Sequence, residues 1–265
     1  MYAFDYHRPT SLADAAKLIA GAEEGKLLAG GHTLLPTMKL RLAGPKHIID
    51  LGRIAELRGI DRRGNDLVIG AMETHDAVAN SPQVRATIPG LAGLAAHIGD
   101  QHVRHRGTIG GSLANNDPAA DYPAAVLALN ARIVTNKREI AADDFFKGLF
   151  ATALGADEII ARIHFPVASK FAYAKFANPA SRYALVGVAV AETAGGVRVA
   201  VTGASSSGVY RASDMEAALA KGWSAQSLGS LAGDAAKMMS DIHADARYRA
   251  HLVGVMARRA VAGSA

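Results

Sequence analysis

Apolar positions in the first 57 residues follow a helical spacing broken by short continuous runs. "LADAAKLIA" places its large apolar residues on one face behind Ser11, which predicts a helix with a serine N-cap. "KLLA" reads as a brief buried strand. Leu34, Leu35, Met38 and Leu42 then recur at offsets of one, four and eight, which predicts a helix over 34–42. Thr33 stands as its N-cap, and Pro36 falls in the first turn, where no intrahelical amide partner is lost. With "HIIDL" as a strand and "GRIAEL" as a helical turn, the segment reads β-α-β-α-β-α. After residue 57 the rhythm changes. "LRGID", the turn "RRGN" and "DLVIGAM" predict an antiparallel hairpin, followed by a Thr74-capped helix at "THDAVAN" and another at "GLAGLAAHI". Residues 107–165 combine a Gly-rich loop, a helix at "AAVLALN", strands at "ARIVT" and "EIIARIHF", and the pair Phe145–Phe146. From about 170 come strands at "FAYAKFA" and "GVRVAVTGA", then helices at "DMEAALA", "DAAKMMSDI" and "ARYRAHLVGVMARRAV". These changes predict an α+β protein in three units, 1–57, 58–169 and 170–265.

Composition narrows the chemistry. The chain has 265 residues, 50% hydrophobic and 20% charged, with no cysteine. Disulfides, thiolate zinc sites and cysteine-held iron–sulfur clusters are therefore excluded from it. "MYAFDYHRPTSLADAAKL" lacks a basic segment followed by an apolar core, and "YALVGVAVA" falls far short of a membrane span. The expectation is a cytoplasmic protein with no transmembrane segment. The net charge is +5, but the basic residues are scattered, and the densest cluster, "HVRHRG", has no aromatic platform beside it. Nucleic acid is not expected; an anionic cofactor or an acidic partner accounts for the charge.

Two segments carry the candidate chemistry. "LAGGHTLLP" (28–36) places Gly30 and Gly31 where a strand hands over to a helix. Glycines there serve either a structural tight turn or the close approach of backbone to an anion such as phosphate. "GTIGGSLANNDPAADYP" (107–123) repeats the theme with Gly110 and Gly111 between Thr108 and Ser112, followed by turn-forming Asn115, Asn116, Asp117 and Asp121. Two such segments in different units suit the two phosphates of one dinucleotide. Neither is the G-x-G-x-x-G fingerprint, so a classical NAD domain is disfavoured.

"AGGHTLLPTMKLRLAGPKHIIDLGRI" and "GTIGGSLANNDPAADYPAAVLALNA" resemble the two FAD-binding signatures of the flavoprotein (medium) subunits of molybdenum hydroxylases, most of all those of aerobic carbon monoxide dehydrogenase and xanthine dehydrogenase-type complexes. "DEIIARIHFP" and "AYAKFANPASRYALVGVAVA" extend the likeness over nearly the whole chain. The resemblance implies a vanillyl-alcohol-oxidase-like (PCMH-type) FAD-binding fold in two subdomains, followed by a C-terminal α/β domain with a three-stranded antiparallel sheet. It implies that Ala29, Gly30, Gly31, His32 and Thr33 wrap the FAD pyrophosphate together with Thr108, Ile109, Gly110, Gly111 and Ser112. It further implies that Asn115 and Asp121 contact the nucleotide half, that Ile160 and Lys175 line the cofactor, and that Tyr183 lies beside the isoalloxazine. Its functional implication is an oxidoreductase subunit that carries FAD and passes electrons from [2Fe–2S] clusters on a small partner subunit to an external acceptor. A large molybdopterin subunit completes the complex, expected as a dimer of heterotrimers. Some relatives hold an extra iron–sulfur cluster through inserted cysteines; this chain has none, so no metal centre carries over.

Plainer readings stand beside these. Lys175 also reads as an edge-strand lysine in solvent, and Tyr183 as core packing. Arg104 and Arg106 either screen phosphate or belong to a solvated turn. His97, His102 and His105 lack the companions of a common metal site and read as surface or loop residues. "GASSSG" reads as a turn, not a nucleophile site. No catalytic side chain is assigned, because a flavin carries its own chemistry. The competing functions are a stand-alone flavin reductase of the same fold superfamily and a non-catalytic scaffold subunit.

Overall fold

A computed structural model describes residues 1–264. The chain builds three main sheets in succession. In the first, β1 (Asp5–His7) and β2 (Gly25–Leu28) flank β3 (His47–Asp50), all parallel, in the order β1-β3-β2. Helix α1 (Leu12–Gly21) covers one face. Its N-cap is Ser11, whose side chain accepts from the Asp14 amide, and Ala15 and Ile19 pack with Ile49. Helix α2 (Leu34–Lys39) buries Met38 and is three residues shorter than the spacing predicts. Two 3-10 turns, Leu51–Arg53 and Ala55–Leu57, correspond to the helical turn expected at "GRIAEL".

The second sheet opens with the expected hairpin, β4 (Ile60–Arg63) against β5 (Asp66–Gly70). Four short helices follow: α3 (His75–Asn80), capped by Thr74, α4 (Pro82–Thr87), α5 (Pro89–Ala96) and α6 (Gln101–Arg106). Then come α7 (Ile109–Asn115), α8 (Tyr122–Ala128), β6 (Arg132–Thr135), β7 (Glu139–Ala141) and α9 (Ala142–Phe145). A small hairpin of β8 (Phe146–Gly148) and β9 (Ala151–Thr152) precedes β10 (Ile160–Pro166). The sheet order is β4-β5-β10-β6-β7, antiparallel throughout.

The third sheet contains β11 (Lys170–Ala177), β12 (Ala184–Thr193), β13 (Gly196–Thr202) and a two-residue β14 (Tyr210–Arg211). The expected three antiparallel strands thus gain a short fourth. Helices α10 (Ser213–Lys221) and α11 (Ala246–Ala262) pack on one face, and α5 and α8 on the other. The predicted helix at "DAAKMMSDI" is only the 3-10 turn Ala235–Lys237; the segment runs on instead to pair Ser205 with Met238. Arg249 of α11 is buried and donates to the Leu185 and Gly203 carbonyls, tying that helix to the ends of β12 and β13.

Candidate functional site

The two Gly-Gly segments touch. A Cβ at Gly30 would stand 2.2 Å from the Arg106 carbonyl oxygen, and one at Gly111 would stand 3.4 Å from the Ala29 methyl. Glycine is what lets the β2–α2 junction lie against the α6–α7 junction. Gly31 has φ +81°, the left-handed region where an L side chain is strained.

The segments differ in what their amides do. Among the described residues, the N–H groups of Gly30, Gly31, His32 and Thr33 find no acceptor within the chain. His32 and Thr33 are exposed, and an open cleft lined by His32, Gln101, His102, His105 and Arg106 flanks them. Thr33 occupies the N-cap position of α2, but its side chain makes no capping bond. In the second segment the expected Gly-rich loop is instead the first turn of α7. The Ile109 and Gly110 amides donate to the Glu73 and Ala71 carbonyls at 3.0 and 2.9 Å, and the Gly111 amide donates to Thr108 Oγ1 at 3.1 Å. Ile109 is fully buried, and a Cβ at Gly110 would lie 2.6 Å from the Ala71 methyl. Ser112 and Asn115 are half-buried along α7. The first segment therefore presents free donors to an anion, while the second positions it from behind.

Beneath the junction lies His75, which sequence reasoning missed. A Cβ at Gly107 would stand 2.5 Å from its Nε2, so that glycine seats the imidazole. Burial, with smaller contributions from the nearby His32 and Arg104 charges, pushes the His75 pKa down to about 4. Arg104 is not a solvated turn residue; it donates to the Ile98 and Gly99 carbonyls.

A second polar centre lies where α8 meets β11. Asp121 is buried, and its carboxylate accepts from Lys175 Nζ at 3.0 Å. The reading of Lys175 as a solvent-facing edge lysine is overturned, since its side chain is 6% exposed and also donates to the His97 carbonyl at 2.8 Å. Burial raises the Asp121 pKa, while Lys175 and the Tyr173 hydroxyl oppose the rise. Tyr183 is 52% exposed, which excludes ordinary core packing. Partial burial and the Asp117 and Asp121 charges raise its phenol. Ile160 on β10, against which α7 packs, is buried in the core beneath the second sheet.

Three further features escaped the sequence reading. Asn116 is left-handed at φ +44°, and its side chain donates to the Gly148 and Ala151 carbonyls, fixing the β8–β9 hairpin to the segment 116–121. Thr202 Oγ1 donates to the Pro118 and Ala120 carbonyls from the third sheet. Tyr173 stands two residues before Lys175 on β11, a period-two relation that was legible in "FAYAKFA". No cluster of three or more His, Asp or Glu side chains among the described residues suits a metal ion. No helix among them is long and apolar enough to cross a membrane.

Residues 2–168 match the family described as the FAD binding domain in molybdopterin dehydrogenase. The chain is 37% identical to the carbon monoxide dehydrogenase medium chain of Hydrogenophaga pseudoflava, over 97% of this chain and 96% of that one. It is 38% identical to the nicotine 6-hydroxylase medium subunit of Paenarthrobacter nicotinovorans, over 98% of this chain and 96% of that one. The solved carbon monoxide dehydrogenase from Hydrogenophaga pseudoflava superposes with a TM-score of 0.90 at 37% identity, covering 99% of this chain and 97% of that chain.

Proposed function

This chain belongs to the family of FAD-binding domains of molybdopterin dehydrogenases, and from that premise we propose that it is the FAD-carrying medium subunit of a heteromeric molybdenum hydroxylase. In this reading it relays electrons from [2Fe–2S] clusters of a small subunit to an external acceptor, with a large molybdopterin subunit completing a heterotrimer that pairs into a dimer. A cytoplasmic setting and three units, 1–57, 58–169 and 170–265, belong to the same reading, with the first two forming a PCMH-type FAD fold.

The observation that carries it is the contact between the two Gly-Gly segments, with four free backbone amides on the exposed side. The residues present fit FAD. Gly30 to Thr33 supply unpaired donors for a pyrophosphate, and His32 and Arg106 line the adjoining cleft. Asn115 and Asp121 offer hydrogen-bonding groups for the nucleotide, and Tyr183 presents an exposed ring where a flavin plane can lie. Bound flavin accepts electrons singly and releases them as a pair. The chain's part would be to hold the flavin, with Lys175 paired to Asp121 among the residues that would line the site. With no cysteine, the chain holds no thiolate-ligated cluster of its own, so electrons arrive from another chain.

The test has two steps. The purified protein, or its apo form after reconstitution, is denatured and the released flavin identified; FAD is expected, and FMN or no flavin overturns the reading. The isolated chain is then mixed with substrates of this enzyme class and its visible spectrum followed. The spectrum should stay oxidised until reduced iron–sulfur subunit is added. Direct bleaching by substrate would favour the stand-alone reductase.

A further inference from the structure

Two groups expected at the flavin site, Asp121 and Lys175, come from different units and are bonded to each other, and a third residue holds the pair. The Tyr173 hydroxyl donates to Asp121 Oδ1 at 2.6 Å, while Lys175 Nζ reaches Oδ1 at 3.0 Å and Oδ2 at 3.2 Å. Tyr173 and Lys175 project from the same face of β11, toward the second unit, while the alternate residues Ala172 and Ala174 face the core beneath α11. Space for the phenol is built into the neighbouring strand. Gly187 pairs with Lys175 across the sheet, and a Cβ there would stand 2.1 Å from the Tyr173 hydroxyl. The segment ending at Asp121 is otherwise held through its backbone, by Thr202 Oγ1 on the Pro118 and Ala120 carbonyls and by the Gly203 amide on Pro118. Tyr173 and Lys175 are thus the side chains that hold the Asp121 carboxylate itself.

We propose that Tyr173 is a positioning residue of the flavin site: by fixing the Asp121 carboxylate, and through it Lys175, it joins the third sheet to the 116–121 segment in the arrangement that holds FAD. This inference rests on the FAD reading above. A buried carboxylate deprived of one of two side-chain donors reorients or loses charge, since low-dielectric surroundings penalise an under-bonded anion. Lys175, shared between Asp121 and the His97 carbonyl, then loses its fixed position as well.

The experiment measures FAD affinity of the reconstituted full chain by flavin fluorescence, together with melting of the apo form, for wild type, Tyr173→Phe, Asp121→Ala and the double variant. Tyr173→Phe removes one oxygen and should weaken FAD binding about tenfold or more. In the Asp121→Ala background the same change should alter affinity less than about twofold, because a residue that acts through Asp121 has nothing left to position. Affinity of Tyr173→Phe equal to wild type would overturn the inference alone, as would a full, additive loss in the double variant, the mark of a merely structural role. A wild-type chain that takes up no FAD would overturn the functional reading and this inference with it.

Discussion

The two Gly-Gly segments carry nearly the same residues and do opposite work. In the first, glycine frees the backbone: Gly31 takes a left-handed conformation, and four successive amides are left without acceptors. In the second, glycine permits packing: Gly110 is buried against Ala71, and the Ile109, Gly110 and Gly111 amides are all committed. A Gly-Gly motif therefore states that a Cβ is not tolerated, and the neighbours decide whether the reason is a ligand or another part of the chain.

The largest effect expected from this contrast is at Gly110. Valine there drives a branched side chain into Ala71, whose methyl and carbonyl oxygen would lie 2.6 and 2.7 Å from the new Cβ. Urea or thermal unfolding should show a loss of about 3 kcal/mol or more. A stable Gly110→Val protein would erase the distinction between the segments.

Gly111→Val tests the contact itself. Its Cβ would meet Thr108 Oγ1 at 2.8 Å and the Ala29 methyl at 3.4 Å, pushing the first segment away without entering the main core. FAD affinity should fall by roughly 30-fold, about 2 kcal/mol, while circular dichroism stays native. Unchanged affinity would mean the second segment has no bearing on the cofactor.

Acid sharpens the comparison from below, because His75 sits under the junction. Its folded pKa, about 4, lies below the unfolded value of 6.5, so the unfolded chain binds more protons between those limits. Stability should be full above about pH 6.5 and should fall by about 2–3 kcal/mol as pH drops toward 4. Chemical denaturation across this range should show the slope, and His75→Phe should flatten it. Glu158, held down to about 2 mainly by its bonds with Arg138, adds a separate loss below pH 4.5, which His75→Phe should leave in place.

The smallest effect separates the two threonines. Thr108 accepts from the Gly111 amide, whereas Thr33 makes no capping bond. Thr108→Ala should cost about 1 kcal/mol and Thr33→Ala less than about half of that, measured by thermal melting. Equal costs would show that both segments are capped alike.

Much of the local structure was legible because its cause is local. Ser11 and Thr74 cap the helices they precede, and the "RRGN" turn joins the hairpin it announces. The central strand β12 was missed for a reason visible in its neighbours. Val186, Val188 and Val190 face the core under α11, Ala189 and Ala191 face the core that includes α5 and α8, and both faces are apolar. A strand buried on both sides has no alternation to read. The helix expected at "DAAKMMSDI" failed through tertiary override, since its backbone pairs with Ser205 and Ala204 instead.

By itself the sequence determined that the chain carries two glycine-paired segments well separated along it, that no cluster can be held by cysteine, and which family signatures it bears. Only the tertiary structure decided that these segments touch, that the Gly30 to Thr33 amides stay free while those of Ile109 to Ser112 are bonded, and that Lys175 is spent on Asp121 rather than exposed to solvent. The physical reason is range. Capping and periodicity act over a few residues. The fate of an amide or an ammonium group depends on which distant acceptor the folded chain brings within about 3 Å.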